Sequence, residues 1–140
     1  MVLRDAQMIP YQGAPRLVQE EAVMASILIV DDQAGVRELL AHELMNDGYS
    51  VNGVADAETA KEYLENSNPD LVLLDLYLSG FEGWSVLNDI KHKDPLLPVL
   101  IVTAYDTYID DPRLSQADGY FVKSFVHFEE LKQRIADILH

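Results

Sequence analysis

The sequence predicts a three-layer α/β domain built around a parallel five-stranded sheet, and three observations carry that expectation. Four short apolar runs, at residues 27–30, 71–74, 99–102 and 120–122, are rich in branched side chains and lack polar alternation, as a parallel strand covered on both faces does. Stretches of helical periodicity separate them. The chain has 140 residues, 49% of them apolar, which suits one domain burying roughly two-thirds of the surface its unfolded form exposes.

Each element has its own signal. After the first run, Val36, Leu39, Leu40 and Leu44 recur along one helix face, and Gly48 stands where a left-handed stop is expected. A weaker strand at 50–54 precedes a second stripe, Ala57, Ala60 and Leu64. The run at 71–74 leads to a third stripe, Trp84, Leu87 and Ile90, and the run at 120–122 to the last, Phe128, Leu131, Ile135 and Ile138. The fourth helix is the exception, because Pro112 falls where it should be in mid-course and would cost about 3 kcal/mol there. That helix is expected to be cut short or replaced by a loop, with Asp111 able to cap a stub before the Asp118-Gly119 turn signal. Five β-α repeats with right-handed crossovers make a (βα)5 doubly wound sheet. Residues 1–25 carry no β-α signature and read as an N-terminal extension, a tag or an upstream-start segment, since Met24-Ala25-Ser26 makes a natural beginning; 26–140 form the domain.

Charge and composition exclude several classes of function. With 24 Asp and Glu against 10 Lys and Arg, the net charge of −14 repels a phosphate backbone, so no nucleic-acid binding is expected. There is no cysteine for a disulfide, thiol nucleophile or zinc site, and the four histidines are scattered. No apolar run approaches the roughly 18 residues that span a bilayer, and the leading segment has no secretory-signal pattern, so a cytoplasmic location away from membranes is expected.

The polar residues that close the apolar runs form the informative pattern. Asp31 and Asp32 close the first, Asp75 the third, Thr103 the fourth and Lys123 the fifth, all at carboxyl ends of strands, where open α/β sheets place their ligand crevice. With the flavodoxin-like strand order 2-1-3-4-5, Asp32, Asp75, Thr103 and Lys123 would line one pocket. Singly, each Asp reads as a helix cap or Asx turn, Thr103 as a cap and Lys123 as a solvated charge. Together they are harder to dismiss: carboxylates within about 5 Å repel by a few kcal/mol per pair at an effective dielectric near 20. A hard divalent cation such as Mg²⁺ answers that repulsion and leaves room for a phosphate oxygen.

These residues stand in recognisable strings: Ile27-Leu-Ile-Val-Asp-Asp32 with Arg37-Glu-Leu-Leu40, Leu71-Val-Leu-Leu-Asp75-Leu with Gly80 and Gly83, Ile101-Val-Thr103-Ala104, and Asp118-Gly-Tyr120-Phe-Val-Lys123. In this order the sequence resembles the receiver domain of two-component response regulators, from Ile27 to the C-terminus. The resemblance implies that Asp75 accepts a phosphoryl group from a sensor histidine kinase or histidine phosphotransfer protein. It implies Mg²⁺, or Mn²⁺ in its place, held by Asp31, Asp32, Asp75 and the backbone carbonyl of Tyr77. Thr103 and Lys123 would bind phosphoryl oxygens, and Tyr120 would swing inward as Thr103 moves. Such a protein is a phospho-acceptor with Mg²⁺-dependent self-phosphorylation and self-dephosphorylation rather than an enzyme.

The sequence also departs from the family. Ser124 replaces the usual cis-proline after the lysine; a non-proline cis bond costs about 2.5–4 kcal/mol, so Lys123-Ser124 is expected to be trans and Lys123 displaced from the pocket. Ser79 replaces a loop proline, and Tyr77 and Tyr105 flank the site as rings that would screen it from water and prolong the phosphorylated state. Because the last helix reaches His140, a stand-alone regulator is expected, acting on an unknown downstream protein or as a homodimer through the fourth-helix and fifth-strand face. The alternative is a degenerate receiver serving as a phosphorylation-independent adaptor. A hydrolase using Asp75 lacks a second carboxylate two residues on, where Tyr77 stands.

Overall fold

The computed structural model describes residues 25–78, 82–104, 109–123 and 128–140. Five parallel strands, β1 (Ser26–Val30), β2 (Ser50–Val54), β3 (Leu71–Leu74), β4 (Val99–Thr103) and β5 (Gly119–Val122), form one sheet in the order β2-β1-β3-β4-β5. Four helices, α1 (Ala34–Asn46), α2 (Ala57–Asn66), α3 (Glu82–Lys93) and α4 (Phe128–Leu139), cover its two faces.

The unbroken apolar runs are explained by alternation within them. Leu28, Val30, Val72, Leu74, Val99 and Ile101 face one layer and pack with Ala60, Val86, Leu87 and Ile90 of α2 and α3. Ile27, Ile29, Leu71, Leu73, Leu100 and Val102 face the other and meet Leu40, Leu44, Leu131 and Ile135 of α1 and α4. Both faces of the three central strands are therefore dry. The edge strand β2 is half-exposed along its length, so its sequence signal is weaker.

Local chemistry sets the helix ends. Gly48 has φ 98°, the Gly48 amide donates to Met45 O and the Tyr49 amide to Leu44 O, a Schellman stop at the predicted place. Asp56 caps α2 by accepting from the Thr59 amide at 2.7 Å, and that hydrogen bond holds its carboxyl below the usual range. One expectation for α1 fails: Leu39 is 37% exposed and faces a groove rather than the core.

The fourth crossover carries a 3₁₀ helix, Pro112–Gln116, so the shortened element read from Pro112 is present. Asp111 caps it, accepting from the Arg113 amide at 2.9 Å and from the Arg113 guanidinium at 2.8 Å. That guanidinium also lies 3.9 Å from the ring centre of Trp84, clamping the 3₁₀ helix to α3. Ala25, assigned with the leading segment, joins the sheet edge by accepting from the Ser50 amide at 2.9 Å. The expectations for residues 1–24, Ser79, Gly80, Tyr105 and the Lys123-Ser124 bond fall outside the described residues.

Candidate functional site

Strand pairing itself carries the acidic residues into one place. The ladder continues one rung past the strands: the Asp31 amide donates to Val54 O, the Asp75 amide to Val30 O and the Lys123 amide to Thr103 O. Because β1 and β3 are neighbours, Asp31 and Asp75 leave adjacent strand tips side by side. Beyond Asp75, Leu76 and Leu78 are buried in the core and anchor the following loop.

Asp31 and Asp75 are buried, at 2% and 5% exposure, and Asp32 is exposed, yet one carboxylate oxygen from each lies within 4.8 Å of the others. The Lys123 ammonium donates to Asp31 Oδ2 at 2.6 Å and to Asp75 Oδ2 at 3.0 Å. The remaining oxygens are held by main chain, Asp31 Oδ1 by the Gln33 amide at 2.9 Å and Asp75 Oδ1 by the Tyr77 amide at 3.0 Å. Lys123 is therefore not displaced from the pocket, contrary to the expectation drawn from Ser124. Its stem is secured by the last rung between β4 and β5, independently of the bond that follows it. It is not a solvated charge either, since its side chain is only 14% exposed.

Burial pushes the Asp31 carboxyl up, against the opposing pull of Lys123 and the Gln33 amide. Burial also opposes charge on Lys123, but the hydrogen bonds and attraction from Asp31 and Asp75 outweigh it and raise the ammonium above its ordinary value. A raised lysine contributes stability that is complete below the unfolded value of 10.5 and is lost as pH climbs through the folded one. In metal-free protein, thermal stability is thus expected to fall above about pH 10.5 more steeply for wild type than for Lys123→Met; superimposable alkaline melting profiles would refute the pairing as a stabilising contact.

Three carboxylates against one ammonium leave the charge of a divalent cation unmatched, and every donor offered is a hard oxygen, so the residues present fit Mg²⁺. Thr103 is 1% exposed and ends β4 beside β5, opposite Val122 in register. Tyr120 lies half-buried opposite Ile101 in register and packs against the core layer that holds Val99 and Ile101. Tyr77 is 43% exposed, with its amide committed to Asp75.

Two roles escaped the sequence reading, that of Gln33 and that of Arg37, which entered only as part of a motif string. Gln33 donates its amide to Asp31 and accepts from Lys123 through Oε1 at 3.1 Å. Arg37 donates from Nη1 to Asp31 O at 2.8 Å and lies along Gly53, where an added Cβ would meet Arg37 Cδ at 3.4 Å. The signal for Gln33 was its position, a poor capping residue set before a helix. Beside it opens a groove of about 530 Å³ lined by Val36, Leu39, Phe121, Val122, Phe128 and Leu131. Among the described residues, no helix is long and apolar enough to cross a membrane.

Residues 27–136 match the family profile described as the response regulator receiver domain. The response regulator TrrA of Thermotoga maritima, solved in complex with Mg²⁺-BeF, is 37% identical with a TM-score of 0.78 over 82% of this chain and 99% of that one. A structure of the histidine kinase ThkA in complex with TrrA matches at 38% identity and a TM-score of 0.77, over 84% of this chain and 100% of that one. The virulence transcriptional regulatory protein PhoP of Salmonella typhimurium strain 14028s is 34% identical over 118 residues, 83% of this chain and 52% of PhoP. The chain thus spans about half the length of the curated relatives it matches.

Proposed function

The chain belongs to the response regulator receiver domain family, and from that premise we propose that Asp75 takes a phosphoryl group from the phosphohistidine of a sensor kinase or phosphotransfer protein. An Asp75 carboxylate oxygen would attack phosphorus as the bond to the histidine nitrogen breaks, leaving an acyl phosphate. Asp31, Asp32, Asp75 and the Tyr77 carbonyl would hold Mg²⁺, and Mn²⁺ would suit the same oxygens. When bound, that cation supplies charge neutralisation on the phosphoryl oxygens. Lys123 would exchange Asp31 for a phosphoryl oxygen and Thr103 would donate its hydroxyl to another, with Tyr120 following Thr103. The protein acts as a stoichiometric acceptor, not an enzyme.

The observation that carries this reading is Lys123 Nζ seated between two buried carboxylates from adjacent strand tips, with a third acid within 4.8 Å. The complexes of TrrA, with Mg²⁺-BeF and with a histidine kinase, support the cation and the donor. The match to TrrA over 99% of that chain supports reading this domain as a stand-alone regulator. Its output would be the face where the 3₁₀ helix meets β5, offered to a downstream protein, with a homodimer on that face as the competing form.

Beryllofluoride titration tests the proposal through Trp84, which lies in the first turn of α3 with the Arg113 guanidinium 3.9 Å from its ring centre. A saturable fluorescence change that needs Mg²⁺ is expected in wild type and absent in Asp75→Asn. A flat titration in wild type would instead favour the phosphorylation-independent adaptor.

A further inference from the structure

Lys123 has three ammonium protons and the structure accounts for all of them. Two go to Asp31 Oδ2 and Asp75 Oδ2, at 2.6 and 3.0 Å, and the third goes to Gln33 Oε1 at 3.1 Å. Gln33 therefore grips this corner twice, since its own amide also fixes the other oxygen of Asp31 at 2.9 Å. Its side chain is diverted from the role its position calls for. Gln33 is the N-cap residue of α1, with φ −90° and ψ 109°, and makes no side-chain capping hydrogen bond there.

We propose that Gln33 is a positioning residue that latches Lys123 over Asp31 in the metal-free protein, so that an entering divalent cation must break the latch. This rests on the reading of the acidic cluster as a cation site. The ammonium and a cation compete for the same two carboxylates, Asp31 and Asp75, and two positive charges about 3 Å apart repel strongly. An acceptor that favours the ammonium's metal-free seat necessarily weakens apparent cation affinity by the same free energy. Gln33 is neutral and exposed, so the latch is a moderate bias rather than a block.

Gln33→Met keeps the length and the backbone amide but removes the acceptor, and no cap is lost with it. Titrated with Mg²⁺ alone and followed by Trp84 fluorescence, this variant is expected to bind roughly three- to tenfold more tightly than wild type. In a Lys123→Met background the same change is expected to leave Mg²⁺ affinity unaltered, because the latch has nothing to hold. A parallel cycle in EDTA reads the contact without any cation: Gln33→Met lowers Tm by roughly 3 °C when Lys123 is present and not when it is replaced. Unchanged Mg²⁺ affinity in Gln33→Met, or a gain that persists without Lys123, overturns the proposal. If wild type shows no Mg²⁺ response, the cation reading fails and the displacement step with it, while coupling in EDTA still reports separately on the Gln33–Lys123 contact.

Discussion

Asp75→Asn is expected to end phosphoryl acceptance while leaving the fold standing. Incubated with a small-molecule phosphodonor and Mg²⁺, wild type should gain one phosphoryl group by intact mass, and the variant none. The chemistry is direct: an amide carries no anionic oxygen to attack phosphorus, and its nitrogen lone pair is delocalised into the carbonyl. Asp31 and Asp32 both remain as carboxylates in the variant, so the mass readout also reports whether either can take the place of Asp75. The fold survives because Asn retains an oxygen for the Tyr77 amide, which Asp75 Oδ1 accepts at 3.0 Å. Lys123 keeps Asp31 and Gln33 as partners, so no buried cation is stranded. Removing one of three clustered carboxylates also relieves repulsion, which is why melting should change by no more than about 1 kcal/mol. Phosphorylation of Asp75→Asn at the wild-type rate would move the acceptor elsewhere and remove the basis of the proposed function.

How much of this was legible in the sequence depends on whether the signal was local. The runs at β1, β3 and β4 announced strands buried on both faces because each residue of an alternating pair had a helix to meet. Pro112 announced the broken crossover by its own ring, and Asp111 its cap. What could not be read was the partner across space. Asp31 and Asp32 are sequence neighbours of the same type, yet one is buried on Lys123 and the other exposed, a distinction set by the pleat of the strand end. The expected displacement of Lys123 failed because it weighed only the residue after it, whereas the rung to Thr103 and two carboxylates hold it in place. Arg113 over Trp84 joins residues far apart in the chain and left no periodic trace. Leu39 fitted the apolar spacing of α1 but lies on the groove beside Phe121 and Val122, where periodicity cannot separate a core from an open surface.

Gly83→Ala should be among the most damaging single-methyl additions in the chain, and two effects of opposite sign decide it. By helix propensity alone, Ala in place of Gly in the first turn of α3 would stabilise by up to about 1 kcal/mol. Packing runs the other way. A Cβ at Gly83 would lie 2.4 Å from Asp75 O and 2.4 Å from Leu76 Cα, distances no real methyl shows, and both neighbours are main chain that cannot rotate aside. The approach is this close because α3 is tied to the loop after the acceptor, with the Gly83 amide donating to Leu76 O at 3.1 Å and the Glu82 amide to Leu78 O at 2.9 Å. Leu76 and Leu78 are buried, so the loop cannot retreat without opening the core. Overpacking of this kind costs about 3 kcal/mol, which exceeds the propensity gain and should lower Tm by roughly 10 °C. The backbone that must move is that of Asp75 itself, so the Mg²⁺-dependent beryllofluoride response should weaken well below the melting range. Thermal denaturation and that titration, run on the same preparation, check both halves. A Gly83→Ala protein that melts within about 2 °C of wild type and titrates normally would show that α3 and the acceptor loop are not locked together.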